Sequence, residues 1–170
     1  MIDALSVHVA RTRHRLLGLL TLPLALLTLS ACVMETLPDQ PVMIRSLYEA
    51  SHCGLQSGEL RLLRADADWA ELEQRIGKLG TDTPSIPRAE AGELGVLVAW
   101  GEKPNAGSHL ALNGEIATIT KGTANLPVSF EDPDPDMAAA QVIVSPCLVL
   151  AVSGTAGLKR LKAGDLVADL

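Results

Sequence analysis

The chain has 170 residues, of which 48% are hydrophobic, 20% charged and 2% aromatic, and its 14 Lys and Arg face 20 Asp and Glu for a net charge of -6. That length holds one globular domain plus a targeting segment, and the apolar fraction excludes a disordered or collagen-like chain. The acidic balance argues against nucleic acid as a partner, because a phosphate-binding surface needs clustered cations.

Arg11, Arg13 and Arg15 precede an apolar run from Leu16 to Leu29, broken only by Gly18, Thr21, Pro23 and Thr28. This is the layout of a secretory leader, and it is shorter than the about 20 apolar residues that a spanning helix needs. The run ends in Leu29-Ser30-Ala31-Cys32, the pattern of a bacterial lipobox. Its small residues let a peptidase approach the backbone, and the Cys32 thiol is the acceptor for a diacylglyceryl thioether. The expectation is a signal peptide over 1–31 and a mature chain that starts at a lipidated Cys32. The alternatives are a plain signal peptide with an incidental cysteine, or a short anchor left uncleaved. Several acyl chains, at about 0.8 kcal/mol per buried methylene, hold a protein on a membrane durably. Val33, not Asp, follows the cysteine, which in a Gram-negative cell favours the outer membrane, facing the periplasm. Cleavage removes three arginines and one aspartate, so the body is more acidic than the whole chain. Residues 32–44 form the lipidated cysteine and its tether, with Pro38 and Pro41 and little periodicity, and residues 45–170 form a single β-rich domain.

With Cys32 taken by lipid, Cys53 and Cys147 remain, an even count in an oxidising compartment. Two readings stand: a disulfide between them, or two separate buried thiols. No spacing of Cys or His supplies the three or four ligands a zinc site needs, and no metal or cofactor is expected.

In chain order, Ser46–Ala50 and Glu59–Arg64 read as strands on either side of a glycine-marked turn. Trp69, Leu72, Ile76 and Leu79 recur at helical spacing, with Asp68 placed as the cap, Glu71 three residues on, and Gly80 as the stop. Residues 81–93 read as a loop. Leu94–Trp100 is almost continuously apolar, which predicts a strand covered on both faces at the centre of the sheet. Leu110–Ile119 reads as a hairpin around Asn113-Gly114, and a three-residue loop would set Leu110, Leu112 and Ile116 on one face. Leu126–Phe130 is a further strand, ended by the acidic run Glu131–Asp136. Prolines interrupt that run, its sixth position lacks glycine, and Ile143 stands where an EF-hand places its bidentate Glu, so it reads as a solvated turn. Gln141–Ser145 and Leu148–Val152 are strands flanking Pro146, and Leu158–Leu170 adds a terminal strand. The fold class expected is α+β: a mostly antiparallel β-sheet or partly open barrel with one amphipathic helix packed on it.

His52 and His109 are the histidines of the mature chain, and no Gly-x-Ser-x-Gly or Ser-x-x-Lys pattern accompanies them. His52 adjoins Cys53, but neighbours on a strand point to opposite faces and do not form a dyad. Gly101–Ser108 lacks the Gly-Lys-Ser/Thr ending of a phosphate loop. The segment Gly95-Val96-Leu97-Val98-Ala99-Trp100-Gly101-Glu102-Lys103-Pro104-Asn105-Ala106-Gly107-Ser108 instead resembles PrcB-type protease-complex accessory lipoproteins, in which a hydrophobic strand runs into Gly-x-x-Pro-Thr-Gly-Gly-Tyr. Val142–Leu150 is similar to the closing strand of that family. Gly101, Pro104 and Gly107 match, while Asn105, Ala106, Ser108 and Cys147 depart from Thr, Gly, Tyr and an aromatic. The resemblance implies a non-enzymatic envelope lipoprotein whose β-rich domain binds or stabilises a partner protein, a protease in the namesake case. It carries over no catalytic residue. The surface expected to face the partner is the loop of Gly101, Pro104, Asn105, Gly107 and His109, held in a fixed shape by Pro104 and by a Gly107 backbone that a Cβ would resist. The alternative is a small-molecule-binding or hydrolytic envelope protein that uses His52 or His109, and a pocket joining either to a carboxylate would favour it.

Overall fold

A computed structural model of the chain describes residues 39–78, 84–134 and 140–170. Its first strand, β1 (Gln40–Ala50), turns Val42 and Ile44 inward and Met43 outward. The strand therefore takes up residues 40–44, which the sequence assigns to the tether. Pro41 hides the alternation there, because proline is tolerated close to the start of a strand but weakens any strand pattern that contains it. The first half of β1 pairs with β5 (Ile116–Thr120), and from Met43 onward it pairs with β8 (Cys147–Ser153).

The expected α+β class is what the chain adopts. Eight strands form one sheet in the order β10-β9-β6-β5-β1-β8-β3-β2, where β2 is Ser57–Leu63, β3 Leu94–Gly101, β6 Thr123–Asn125, β9 Arg160–Ala163 and β10 Leu166–Asp169. All neighbours are antiparallel except β6 and β9. The sheet curls until its two outer strands meet by side chains, with Leu166 of β10 against Gly58 of β2, so it is a nearly closed barrel. A separate two-stranded sheet joins β4 (His109–Leu112) to β7 (Val128–Glu131).

The interior of the barrel takes Val42, Ile44, Val96, Val98, Leu148, Leu150, Val152 and Leu161. The other faces of β3 and β8 carry Leu97, Ala99 and Val149 into a second layer, completed by Leu63, Ile86 and the helix α1 (Asp66–Gly77) through Trp69, Leu72 and Ile76. Burial on both faces is what the continuous apolar run of β3 predicts. However, β3 lies next to the outer strand β2, not at the centre of the order. Gly95 is where α1 docks: a Cβ there would collide with the Trp69 ring and with the Leu63 carbonyl oxygen.

The helix lies where the Trp69, Leu72, Ile76 stripe predicts, but its cap differs. Ala65 is the capping residue, and Asp68 sits inside the first turn, where its carboxylate accepts the Arg64 and Ala65 N–H groups at 2.8 Å each. These backbone donors, Ala65 first, hold the Asp68 pKa below its ordinary value. Glu71 instead accepts from Arg75 and Arg61, and its pKa is lowered by Arg75 first. Leu79 and Gly80, the expected last contact and stop, lie outside the described residues.

The predicted hairpin does not form. Leu110–Leu112 pairs with β7 and Ile116–Ile119 with β1, so the proposed three-residue register is absent. Asn113 donates its N–H to Pro127 O at 2.7 Å, and neither Asn113 nor Gly114 has a positive φ. Long-range pairing with β1 and β7 overrides the local turn preference. The tight turn comes one strand later, at Lys121-Gly122 (φ 53° and 79°), between Thr120 and Thr123. The predicted 126–130 strand begins late, as β7 from Val128, because Leu126 and Pro127 lie in the connection from β6, and the predicted terminal strand is two, β9 and β10. Gln141–Ser145 is no strand. Within it only the isolated bridges Lys103–Val144 and His52–Ser145 form, because the segment runs along a loop and not along another strand.

Cys53 and Cys147 are joined in a disulfide, with 6.1 Å between their Cα atoms, so the bridged reading holds over that of separate thiols. It closes a sequence separation of 94 residues inside the helix-side layer. On the chain-entropy estimate a loop of this length stabilises the fold by about 4 to 5 kcal/mol. Cys53→Ala should therefore lower the melting temperature by roughly ten degrees or more, while a calorimetric scan of the untreated protein shows one high transition. A variant that melts with the wild type would contradict the bridge.

Acid should destabilise the chain in a defined window. Asp68, Glu71 and Glu93 all have folded pKa values lowered from ordinary values of 3.8, 4.5 and 4.5, Glu93 chiefly by the Arg45 guanidinium. Lowered carboxylate values contribute stability that is present above those ordinary values and lost as pH falls through the folded ones. Melting temperatures measured between about pH 6 and pH 3 should fall modestly below about pH 4.5, and Asp68→Asn should make that fall shallower.

Candidate functional site

Gly101 ends β3 at a φ of +83°, where a Cβ would lie 2.8 Å from the Gly58 nitrogen. Only glycine fits both the angle and the space. From there the chain is fixed step by step. Glu102 N–H donates to Gln56 O at 3.1 Å, and Lys103 exchanges backbone bonds with Val144 at 2.7 and 2.9 Å. The Lys103 ammonium sits 3.9 Å above the Trp100 ring, a cation over its electron-rich face. Ala106 N–H donates to Ala140 O, and Ser108 N–H closes a turn on Asn105 O, both at 3.1 Å. Ser108 is buried, and its hydroxyl donates to Asp132 Oδ1 at 2.7 Å. Asp132 thus belongs to the loop's framework and is more than the solvated charge that its sequence context predicts.

Gly107 has no positive φ. Its requirement is spatial, since a Cβ would lie 2.8 Å from Pro133 Cβ. His109 opens β4 with both ring nitrogens opposite acceptors: Nδ1 is 3.1 Å from Gly107 O, and Nε2 is 3.1 Å from Glu131 Oε2. Glu131 was not visible as a partner in the sequence, because the contact depends on the cross-strand pairing of His109 with Glu131.

The result is a fixed loop with an exposed crest. Glu102, Pro104, Ala106 and His109 face solvent, Asn105 is half-buried, and Val142 and Ile143 beside it are 50% and 66% exposed. Val142 and Ile143 belong to the segment whose Ala140 and Val144 hold the loop, so apolar and polar groups are presented on one framework.

His52 lies on the neighbouring segment, its Nδ1 3.2 Å from the Ser51 hydroxyl. Cys53 is committed to the disulfide and offers no thiol. Ser145, a residue that no sequence pattern singles out, fixes this segment: its buried hydroxyl accepts the Cys53 and Gly54 N–H groups at 3.0 and 2.8 Å. Cys32 lies outside the described residues.

Strand directions place these parts along one axis. β3 and β1 are both antiparallel to β8, so they run the same way, and Gly101 lies beyond the level of Ala99, Cys147 and Ala50. The loop is therefore at the opposite end of β1 from Gln40, a strand of 11 residues and about 35 Å away. Among the described residues no group of three or more His, Cys, Asp and Glu could hold a metal, and no helix is long and apolar enough to cross a membrane.

No family model matches the chain, and neither a curated protein nor a solved structure is found to be similar to it.

The Ser108–Asp132 bond should govern the rigidity of the loop more than the stability of the body. Ser108→Ala should speed amide hydrogen exchange at Ala106 and Ser108 by about tenfold or more, with the exchange of β3 and β8 unchanged. Uniform acceleration throughout the sheet would assign Ser108 to the core instead.

Proposed function

We propose that this chain is a non-enzymatic bacterial envelope lipoprotein, held by acyl chains on Cys32 in the outer membrane and facing the periplasm, that binds or stabilises a partner protein through the Gly101–His109 loop. The resemblance to PrcB-type accessory lipoproteins makes a protease complex the leading class of partner. The observation that carries the reading is the fixed loop with its exposed crest. Backbone bonds from Glu102, Lys103 and Ala106 and the Ser108–Asp132 contact hold it, while Pro104, Asn105 and His109 stay accessible beside Val142 and Ile143. A surface already ordered loses little conformational entropy on binding. Its place at the end of β1 opposite the tether also suits an anchored protein, whose free end is the one a periplasmic partner can reach.

The alternative, a small-molecule-binding or hydrolytic protein, draws its support from the His109–Glu131 pair. A general base needs a ring nitrogen free to take a proton, whereas both nitrogens of His109 face acceptors within the protein. The pair is also half in water, with side chains 51% and 47% exposed, where charge interactions are weak. These features favour a structural role for the pair, in which it ties the start of β4 to the end of β7.

Crosslinking in intact envelopes separates the two readings. The wild-type chain should capture a discrete protein, and Asn105→Ala combined with His109→Ala should reduce that capture about tenfold while the melting temperature stays within a degree or two. Capture unaffected by the double substitution would remove the loop from the interface. Hydrolysis by the purified chain that His109→Ala or His52→Ala abolishes would establish the alternative.

A further inference from the structure

The described cations of this acidic chain differ in how they are engaged. Around most of the body they have partners, Arg45 with Glu93, Arg61 and Arg75 with Glu71, Arg88 with Glu73, and Lys103 over Trp100, while Arg64 and Lys78, which flank α1, make no ion pair among the described residues. At one end of the sheet Arg160 is paired and three lysines are not. Lys121 occupies the β5–β6 turn, and the Lys159 and Arg160 N–H groups both donate to Gly122 O in that turn, at 2.7 and 3.0 Å. Lys162 follows two residues along β9, on the same outward face as Arg160. Asp169 accepts from Arg160 at 2.7 Å, and Asp39 is a second carboxylate at this end. Among the described residues no carboxylate lies within ion-pair distance of Lys121, Lys159 or Lys162.

The register identifies which end this is. Gln40 pairs with Ile119, and the next residue, Thr120, pairs with Thr123, which pairs in turn with Arg160. Gly154, in the β8–β9 connection, confirms the level, since a Cβ there would lie 2.9 Å from Pro41 O. The lysines therefore lie at the end of the sheet where the chain arriving from Cys32 enters the body, on the β5, β6 and β9 side of β1. The acidic residues Glu102, Glu131 and Asp132 belong to the Gly101–His109 region, at the other end.

We propose that Lys121, Lys159 and Lys162 form a second, electrostatic attachment to the anionic phospholipid headgroups of the leaflet that holds the Cys32 acyl chains. The inference rests on the lipid-anchor reading above. Asp39 follows Cys32 by seven residues in the sequence, so a fully extended tether reaches at most about 25 Å. Within that reach the acidic body is repelled by an anionic surface, and the lysine end is attracted to it over about a Debye length of 8 Å. The tether alone leaves the body free to tumble, whereas the lysines orient it with the Gly101–His109 loop outward.

The test uses the full chain purified from membranes with its lipid, placed in vesicles of phosphatidylcholine alone or mixed with phosphatidylglycerol. Lysine acetylation is kept at low extent and read residue by residue by mass spectrometry. Lys121, Lys159 and Lys162 should react at least about threefold more slowly in the anionic vesicles, and the difference should vanish near about 1 M salt, while Lys103 reacts equally in both. Lys121→Gln combined with Lys159→Gln should abolish the protection of Lys162. Palmitate labelling of the same preparation, with Cys32→Ser as control, reports the anchor separately. Labelled protein with equal lysine rates in both vesicles overturns the electrostatic contact alone, and unlabelled protein overturns the anchor on which it rests.

Discussion

Strands β3 and β8 lie side by side with apolar groups on both faces, and the remaining elements are arranged to cover those faces. Val96, Val98, Leu148 and Leu150 need one cover and Leu97, Ala99 and Val149 another, all at 0% exposure. Curling the sheet provides the first cover, because the strands from β1 through β10 wrap around to oppose β3. The second needs a separate layer, and α1 with Ile86 and the Cys53–Leu55 segment provides it. A single β-layer cannot bury both sides of a strand, so the combination of barrel and helix follows from this one pair.

The shortage of aromatic residues shapes how that second layer is held. Trp69 is its one buried ring, with Tyr48 packed partly exposed at its border, and Gly95 opens the space for Trp69 by omitting a side chain where α1 crosses β3. Aliphatic contacts bury less area per residue than aromatic ones, and the disulfide offsets part of that deficit by restricting the unfolded chain. Its position matters as much as its presence. Cys147 begins β8, and Cys53 belongs to the segment that Ser145 holds through two N–H donors. The bridge thus fixes the same end of the sheet from which the Gly101–His109 loop projects.

What the sequence made legible was whatever depends on near neighbours in the chain. The stripe of Trp69, Leu72 and Ile76 marks α1, and the unbroken apolar runs mark β3 and β8, because periodicity within one element reports how many of its faces are covered. The failures share a different character. Asn113-Gly114 carries a strong turn signal, yet Ile116–Ile119 finds a longer partner in β1, so the hairpin loses to a pairing about 75 residues away along the chain. Gln40–Ile44 reads as tether for the matching reason, since its strand character comes from β5 and β8 and not from its own composition. In the candidate site, Gly101 and Pro104 stand out as turn residues, but Ser108–Asp132 and His109–Glu131 are products of the β4–β7 register. No local pattern encodes that register.

Direction along the barrel connects the start of β1 to the loop. Because β1 begins at Gln40 and runs the full length of the sheet, whatever lies beyond Ala50 is carried to the far end, and the shared direction of β1 and β3 puts Gly101 there too. Charge differs along the same axis, with three unpaired lysines beside Asp39 and Asp169 near Gln40, and Glu102, Glu131 and Asp132 beside Lys103 near Gly101. If the chain is anchored as proposed, a membrane with negative headgroups acts differently on those two ends and gives the body a preferred way up. Orientation converts a fixed loop into an accessible one: the same loop lying against headgroups would offer its crest to lipid, and turned outward it meets the compartment in which a protein partner diffuses. On the proposed reading, the rigidity supplied by Ser108 and Asp132 and the polarity supplied by Lys121, Lys159 and Lys162 act on one property, the fraction of time the Pro104, Asn105 and His109 crest is presented in a form a partner could bind.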